Sequence, residues 1–414
     1  MESHEDSTNP ISRRRFTALA AAGLGLTVTA GAGPIAALAA GPEIPVGTLM
    51  PLTGAGGLFG QNMLKAVRAA VGQINAAGGP LGRKIRLYEE DDQTDPDAAV
   101  RAAKKLIEVN KVVAVIGTWA SGVTLAVAPV CQASRVVEMS TSGASKITTV
   151  QKQGYVYRTE PDDTLFGRAY AEFALERGWK RMAVLGLNVP FTATTVGSFR
   201  RAFEARGGTV LSFDTYNQSQ TTFRSETLKA SQGNPDCILI SGYEPDVTGI
   251  LRSAYENGLH EKFLVPGFSV SETLIKNAGP AAEGLLLVQE GVSEGSPSYR
   301  RVASALGGSE YYSFAAQAWD QIQLVALAIE AAKSARGDAI NRMLRAVSGP
   351  PGARVSSFAE AAPLLRRGRK VNYEGASGSI DFDADGNITT ANFRVAEVRD
   401  GKIAPVQLVK GVHF

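Results

Sequence analysis

A strand–loop–helix–strand–loop unit between residues 112 and 145 is the feature of this sequence that most constrains the fold. Its first segment, Val112 to Ile116, is a β-branched run that predicts a buried strand. Residues 123 to 134 have helical spacing with apolar side chains on one face, and Val136 to Met139 predicts a second strand. Such a unit is right-handed and leaves its two strands parallel and close together. It therefore predicts an open, mainly parallel α/β sheet.

Both loops of this unit are rich in small polar residues. Gly117 to Gly122 carries Thr118, Trp119 and Ser121, and the second loop runs from Ser140 to Ser145. Open α/β sheets bind ligands at the carboxyl ends of their strands, where both loops emerge, and the helix N-terminus there favours an anion. The alternative is that the serines and threonines only cap helices. Two such loops in succession, one with a tryptophan expected to be accessible, favour a ligand site.

The alternation of strand and helix recurs along the chain and falls into two halves. It runs from residue 44 to about 158 and restarts at residue 164. Crossings between the halves are expected near residues 160, 292 and 375. The sequence thus predicts two similar doubly wound α/β lobes joined by a three-segment hinge. The predicted N-terminal lobe comprises residues 41–160 and 292–375, and the predicted C-terminal lobe comprises residues 161–291 and 376–414.

The composition is that of an ordinary globular protein and argues against several classes. Of 414 residues, 44% are hydrophobic and 20% are charged, and the net charge is +3. This small, unclustered excess does not favour nucleic acid. Cys131 and Cys237 fall in apolar segments, so we expect core residues without a disulfide between them. With three histidines in the sequence, a histidine-rich metal site or a Ser-His-Asp triad is hard to assemble, and we expect no metal, cofactor or catalysis.

Residues 1–40 have the pattern of an export signal. Residues 12–16 read Ser-Arg-Arg-Arg-Phe, a twin-arginine signature, and a weakly hydrophobic stretch and the small-x-small run at residues 37–39 follow it. The alternative is a membrane anchor, because residues 16–40 could span a bilayer. Their glycines, threonines and proline argue against an anchor. We therefore expect twin-arginine export, cleavage near Ala40 and a soluble periplasmic protein.

Other motifs allow a chemical interpretation that the sequence does not favour. Gly54 to Gly60 precedes a helix, but its spacing is not that of a nucleotide loop. Asp381 to Gly386 resembles the start of a calcium loop, but the twelfth position is an asparagine. A hairpin through Phe382 and Ile388, with the Asp-Gly pair at its turn, fits better. Ile380–Phe382 and Phe393–Val398 are expected to form a late β-hairpin. The acidic pairs at residues 91–92 and 162–163 could act in acid–base catalysis, although turn and capping roles are favoured.

Four segments together carry a resemblance to a known family. They are the opening VGTLMPLTGAGGLFGQNMLKAVRAAVGQINAAGGPLGRKIRLYEEDDQTDPDAAV, GYVYRTEPDD, GYEPDVTGILRSA and YEGASGSIDFDADGN. They resemble the periplasmic leucine/isoleucine/valine-binding proteins of ABC importers, which have the type I periplasmic binding protein fold. The resemblance covers nearly everything after the leader. It implies an exported receptor that hands a small molecule to an ABC permease in the inner membrane, and we expect a monomer.

The resemblance also implies a set of ligand-binding residues. The positions that match the family's carboxylate-binding loops are Ser121, Gly143 and Ser145. The family's second-domain contacts fall on Asp163, Phe191 and Tyr243. The acidic anchor for a ligand's ammonium group falls on or near an uncharged residue, Gly267, and Glu244, Asp163 and Glu272 are the candidates to replace it.

Several aromatic residues lie in the segments that the resemblance places at the cleft; they are Phe59, Trp119, Phe191, Tyr243 and Phe268. Together they predict a largely apolar, aromatic-lined pocket. A buried ammonium group without an acidic partner is costly. Bulky aliphatic or aromatic carboxylates without an amine are therefore expected alongside the branched-chain amino acids. The alternative functions are a ligand-sensing module for a signalling partner and a hydrolase that uses the paired carboxylates.

Overall fold

Two large β-sheets carry the fold in the computed structural model, which describes residues 41–150, 154–218, 220–292, 295–308 and 314–413. The predicted signal peptide, residues 1–40, lies outside the described residues. The first half of the chain contains five strands, which form the first sheet, and four α-helices between them. In chain order they are β1 Ile44–Met50, α1 Gly57–Ala76, β2 Ile85–Asp91, α2 Pro96–Lys104, β3 Ala114–Thr118, α3 Ser121–Ser134, β4 Val137–Ser140, α4 Lys146–Val150 and β5 Val156–Arg158. The strand order is β2-β1-β3-β4-β5, and the pairings are parallel.

The second sheet begins after residues 159–162 and repeats the same plan. Its elements are α5 Asp163–Glu176, β6 Arg181–Leu187, α6 Pro190–Glu204, β7 Thr209–Tyr216, α7 Arg224–Ala230, β8 Cys237–Ser241, α8 Glu244–Glu256, β9 Phe263–Pro266, α9 Glu272–Ala278 and β10 Leu286–Glu290. These strands are parallel, in the order β10-β9-β8-β6-β7. The predicted alternation of strand and helix is therefore present in both halves.

The last part of the chain returns to each half in turn. It comprises α10 Pro297–Leu306, α11 Ala315–Ala332, α12 Gly337–Ser348, β11 Ala353–Val355, α13 Phe358–Arg366, β12 Val371–Tyr373, β13 Thr390–Arg399 and β14 Lys402–His413. Helices α10, α11 and α13 pack against α1 of the first half, whereas β13 extends the second sheet beside β10. Residues 380–388 lie against β5, where the Arg158 N–H donates to the Gly386 carbonyl. The lobe boundaries and the three crossings stay a prediction.

The predicted hairpin between Ile380–Phe382 and Phe393–Val398 is wrong. Phe393–Val398 lies in β13, which pairs antiparallel with β10 and β14. The predicted Asp-Gly turn between Phe382 and Ile388 is confirmed, because an isolated antiparallel bridge joins these two residues. The sequence analysis did not predict β14, because Pro405 lacks an N–H donor and a proline within an apolar run argues against a strand. The proline is tolerated because β14 is an edge strand. The register shifts between Val395 and Ala396, and Ala396 lies opposite that proline.

Buried apolar side chains fill the space between the helices and both sheets. Cys131 and Cys237 are both buried and free, which confirms that they are core residues. Within the described part of the chain, no helix combines the length and the apolar character needed to cross a bilayer.

Candidate functional site: a cavity between the two sheets

The loop after β3 carries Ser121 into the first turn of α3. The helix is capped by Ala120, which offers no side-chain acceptor, so the Ser121 hydroxyl does not serve as that cap. It accepts a hydrogen bond from the Ala144 N–H at 3.3 Å instead. The two loops that the sequence singled out are therefore joined to each other, and the first-turn N–H groups of α3 have no side-chain cap.

A small cavity of about 30 Å³ lies where these loops face the second sheet. The residues that line it come from both halves: Trp119, Ala120, Ser121, Thr141, Gly143, Glu160, Asp163, Phe166, Phe191, Tyr243, Phe268 and Phe314. Seven of these were among the ten predicted site residues. Glu160 and Phe314 were not predicted as site residues, although Glu160 begins the acidic crossing that the sequence placed between the lobes. A volume of this size holds about one water molecule.

Aromatic rings from the two halves meet across this cavity. The ring centroid of Trp119 lies 5.1 Å from that of Tyr243, 6.2 Å from that of Phe268 and 5.7 Å from that of Phe314. The ring centroid of Phe191 lies 5.5 Å from that of Tyr243. Trp119 is buried, contrary to the expectation that it is accessible. The rings therefore fill most of the space that a ligand would need, and a larger ligand requires them to move apart.

Two carboxyl groups line the same cavity. The Gln317 Nε2 donates to Glu160 Oε2 at 3.0 Å and also to Glu290 Oε1 at 3.3 Å, so it joins acids from the two halves. Burial is the largest cause that raises the pKa of both Glu160 and Asp163 well above their usual ranges. The neighbouring charge of Glu290 raises the pKa of Glu160 further, and Arg158 lowers both pKa values. The cavity is thus lined both by aromatic rings (Trp119, Phe191, Tyr243 and Phe268) and by an acidic wall formed by Glu160 and Asp163.

Three predicted site residues do not line the cavity. Phe59 lies behind Trp119, with ring centroids 5.2 Å apart. The Ser145 hydroxyl donates to Asp162 Oδ1 at 2.7 Å and faces a separate groove. At Gly267 a Cβ atom would overlap Gln289, so there is no room for an acidic side chain there.

The candidates to replace that missing acid differ in position. Glu272 is exposed, and Glu244 begins α8 outside the cavity lining. Asp163 alone of the three lines the cavity. Its N–H donates to the Gly143 carbonyl at 2.7 Å, and a Cβ at Gly143 would overlap the Asp163 carboxylate. The absence of a side chain at Gly143 therefore leaves the space that the Asp163 carboxyl group occupies in the cavity lining.

Arg158 holds the loop after β4 in position from behind. Its guanidinium makes five hydrogen bonds, to the carbonyls of Gly143 and Ala144 and to the side chains of Thr148, Asp162 and Asn387. These bonds connect the loop, the crossing to α5 and the segment before β13. A guanidinium has five N–H donors, so Arg158 has none left for a ligand.

A buried polar network supports both loops from below. The Thr118 hydroxyl donates to Glu138 Oε1 at 3.0 Å, and the Thr124 hydroxyl lies 2.7 Å from that of Ser142. Glu138 Oε2 has no hydrogen-bond partner, and burial raises the pKa of Glu138 to about 8. The fold therefore holds Glu138 as the neutral acid at pH 7.

The buried Glu138 makes stability depend on pH. Its ordinary pKa is 4.5 and its folded pKa is about 8, so its contribution is complete below about pH 4.5 and is lost as the pH rises to about 8. Glu138→Gln, which keeps the shape without a charge, is expected to flatten the fall of the melting temperature over this range. Thermal melts at pH 5, 6, 7 and 8 measure it, with the exposed Glu108→Gln as control. Parallel curves for the unmodified protein and Glu138→Gln would contradict the assignment.

The arrangement is suited to binding. No nucleophile with an adjacent base lines the cavity. In the described ranges, no cluster of histidine, cysteine or acidic side chains is placed to hold a metal ion. Apolar rings, a hydroxyl and acids converging on one enclosed space are typical of a small-molecule site.

Two proteins with similar sequences are named as amino-acid-binding proteins. The Leu/Ile/Val-binding protein homolog 1 of Brucella suis biovar 1 is 26% identical over 245 residues, which are 59% of this chain and 66% of the relative's own length. The Leu/Ile/Val-binding protein BraC3 of Rhizobium johnstonii is 24% identical over 382 residues, which are 90% of this chain and 97% of the relative.

Solved structures share the fold over most of the chain. The leucine binding protein LivK of Thermotoga maritima has a TM-score of 0.77 at 24% identity and covers 89% of this chain and 99% of its own. A solute binding protein of an ABC transporter from R. palustris, in complex with benzoate, has a TM-score of 0.74 at 22% identity and covers 90% and 98%. The predicted type I periplasmic binding protein fold, with its two α/β halves, is thereby confirmed. A family model described as periplasmic binding protein matches residues 43–402, so the chain belongs to that family.

Proposed function

We propose that this protein is an exported substrate-binding protein of an ABC importer. It captures a branched-chain-like amino acid or a related apolar or aromatic carboxylate between its two halves and delivers it to an inner-membrane permease. The observation that carries the proposal is the cavity that both halves enclose with aromatic rings, Ser121 and acids. Under this proposal the protein acts as a periplasmic monomer without cofactor, metal or nucleic acid, and it catalyses no reaction.

Relatives and fold neighbours support this choice of ligand class. Relatives are named Leu/Ile/Val-binding proteins, and fold neighbours were solved with isoleucine and with benzoate. Amino acids and amine-free aromatic acids share a carboxylate and an apolar body. These are the two parts that a loop at a helix N-terminus and a wall of rings would recognise.

In this proposal Ser121 binds the carboxylate end of the ligand. Its oxygen accepts the Ala144 N–H, so the hydroxyl hydrogen can be donated to an anion. It lies in the first turn of α3, a helix of 14 residues whose N-terminal N–H groups favour negative charge. The carboxylate would therefore sit at the loops after β3 and β4, with the apolar body against Trp119 and Tyr243.

A thermal-shift panel on ligand-stripped protein tests the proposal. Leucine, phenylalanine, 4-hydroxybenzoate and short-chain 2-oxo acids are compared at equal concentration. A ligand present at a hundredfold its Kd should stabilise the fold by about 2.7 kcal/mol. We expect at least one of these acids to raise the melting temperature. If glycine and serine shift the melt and none of the four classes does, the apolar pocket is contradicted.

Ser121→Ala is expected to weaken binding of the best ligand about tenfold or more. A hydrogen bond to a charged group contributes roughly 1.5–3 kcal/mol, and about 1.4 kcal/mol corresponds to a factor of ten in affinity. Calorimetric titration of the variant measures the change. The matched control is Ser231→Ala, whose hydroxyl bonds inside the end of α7, and its affinity should be unchanged. An unchanged affinity in Ser121→Ala would remove this hydroxyl from the site.

A further inference from the structure

Basic side chains gather at the amino edge of the first sheet, the end of its strands that lies away from the candidate cavity. Lys84 and Lys111 shortly precede β2 and β3, and Arg135 lies between the end of α3 and β4. The loops that line the cavity follow β3 and β4 at the other end of these strands. Because the strands are parallel, the three cations lie along one edge of the sheet.

Two helices from the last part of the chain end at the same edge. Glu330, near the end of α11, accepts from the Leu81 N–H in the turn before β2. Arg366, the last residue of α13, donates to the Gly79 carbonyl in the same turn. The residues just after these helices add four more cations, which are Lys333, Arg367, Arg369 and Lys370. These four, together with Lys84, Lys111 and Arg135, are called the basic edge.

The charge of the basic edge is not neutralised within the chain. Its seven side chains are exposed, and within the described ranges none of them makes an ion pair or a hydrogen bond. Three acids near the same edge already have arginine partners; they are Glu43, Glu330 and Asp338. Glu108 is an exposed acid near the edge without such a partner among the described residues. The edge therefore carries a concentrated positive charge, although the net charge of the whole chain is only +3.

Helix stability accounts for only part of this charge. Arg135, Lys333 and Arg367 are the C-caps of α3, α11 and α13, where a cation interacts favourably with the helix dipole. Lys84 and Lys370 directly precede β2 and β12 and lie outside the last turn of the preceding α-helix. Like charges that are gathered on one surface repel one another. Their concentration here indicates a partner of opposite charge.

The form of the basic edge fits a broad surface better than a small anion. None of its seven residues lines the cavity between the halves or the groove beside Ser145, so neither of these spaces would enclose an ion held by them. Val109 lies two residues before Lys111, at the end of a π-helical turn. It is 70% exposed, more than any other large apolar side chain of the described residues. Cations around an exposed apolar side chain are typical of contact with a membrane surface.

The described chain also begins at this edge. The Arg83 side chain, in the turn before β2, donates to the carbonyls of Pro42 and Glu43. The predicted export signal, residues 1–40, is therefore joined to the chain at the edge that carries these cations. Under the proposed function the protein is exported across a membrane, so a lipid surface is a partner that it meets.

We propose that the basic edge binds the surface of a bilayer that contains anionic phospholipids, with Val109 at the boundary between headgroups and acyl chains. This inference goes beyond the proposed function, because it concerns a face that is remote from the solute. Lysine and arginine side chains near such a surface are attracted by its negative potential, and salt screens the attraction. The candidate cavity lies at the opposite edge of the same sheet, so contact with a bilayer leaves it uncovered.

Sedimentation with lipid vesicles tests the proposal on protein purified after export, when the predicted signal is no longer attached. Vesicles of phosphatidylcholine alone are compared with vesicles in which phosphatidylglycerol replaces about one third of that lipid. We expect partition onto the anionic vesicles to be at least tenfold stronger at low salt, and the preference to disappear at about 0.5 M NaCl. Equal partition onto both kinds of vesicle, or none onto either, would overturn the inference and leave an acidic protein as the partner that fits the edge.

Two triple variants then locate the contact. The first removes three cations of the basic edge with Arg367→Gln, Arg369→Gln and Lys370→Gln, and it should weaken partition at least tenfold, because each basic residue near the surface contributes about fivefold. The control makes the same charge change on exposed residues of the second half, with Arg224→Gln, Lys262→Gln and Lys276→Gln, and partition should be unchanged. Equal losses in the two variants would show that net charge and not the basic edge drives the binding, which overturns the inference.

Val109→Ser tests the apolar part of the contact. It should weaken partition about threefold, because it removes apolar area from the boundary between headgroups and acyl chains. Leu408→Ser, at an exposed apolar position of β14, is the control and should leave partition unchanged. An unchanged partition in Val109→Ser would contradict the placement of this side chain in the bilayer. Solute affinity should stay constant in all of these variants, so the proposed function is judged separately.

Discussion

Replacing Arg158 with methionine is expected to lower the free energy of unfolding by about 3–5 kcal/mol, because it leaves the buried charge of Asp162 without its partner. The side chains of Arg158 and Asp162 are only 1% and 5% exposed, and the two atoms that form the ion pair are 2.7 Å apart. The variant also removes the hydrogen bonds that Arg158 donates to the carbonyls of Gly143 and Ala144. Chemical denaturation monitored by circular dichroism measures the loss.

The chain offers a matched control for this change. Arg200 and Glu204 form an ion pair with the same spacing along the sequence, 2.9 Å apart, but their side chains are 58% and 39% exposed. Arg200→Met should therefore change stability by about 0.5 kcal/mol or less. Equal losses in the two variants would show that burial does not govern the pair at residue 158. Because Arg158 also fixes the loop that carries Gly143, ligand affinity should fall in Arg158→Met and stay constant in Arg200→Met.

Asp320→Asn is expected to cost about 3 kcal/mol, since one oxygen that accepts from buried donors becomes an NH₂ group that faces another donor. Asp320 Oδ2 accepts from the N–H and hydroxyl of Ser377, and Oδ1 accepts from Tyr373 and the Ala376 N–H. The substitution breaks the connection between α11 and the segment after β12. Thermal and denaturant unfolding should both show the loss.

Asp338→Asn is the control on the neighbouring helix. Its partners, Arg336 and Arg342, are exposed surface side chains, so solvent screens these contacts and a much smaller loss is expected. A loss in Asp338→Asn as large as that in Asp320→Asn would contradict the interpretation that buried donors set the difference.

The sequence predicted most of the architecture because the strands after Ile44 are short apolar runs separated by turn residues. Once these strands were predicted, the loop that carries Trp119 and Ser121 could also be located, because a loop at the carboxyl end of a parallel strand faces the ligand crevice. It also marked Tyr243 and Phe268 through the family resemblance. What it could not show is which way each side chain points. Ser145 turns to Asp162, and no local pattern encodes that choice.

The hydrogen bonds that join Glu160 to Glu290 through Gln317 could not be predicted from the sequence, for a related physical reason. Gln317 is 157 residues from Glu160 and 27 residues from Glu290 along the chain, and only the folded topology brings their oxygen and nitrogen atoms within hydrogen-bond distance. The edge strand β14 was missed because its pattern is interrupted at Pro405. By contrast, the absence of a side chain at Gly267 was visible in the sequence. The structure adds that Gln289 occupies the space.

Under the proposed function, the ring contacts between the two halves would lower the apparent affinity of the protein for its ligand. Trp119 lies against Tyr243 and Phe268, so these rings make with one another contacts that a ligand between the halves would replace. Molecules in which the rings are in contact would have room for about one water molecule only. A larger ligand would enter only those molecules in which the rings have separated, the open fraction. The apparent dissociation constant equals the intrinsic constant divided by the open fraction, so an open fraction of about one tenth would weaken binding about tenfold. The aromatic contacts would in this way set a threshold concentration for uptake, separately from the groups that recognise the solute.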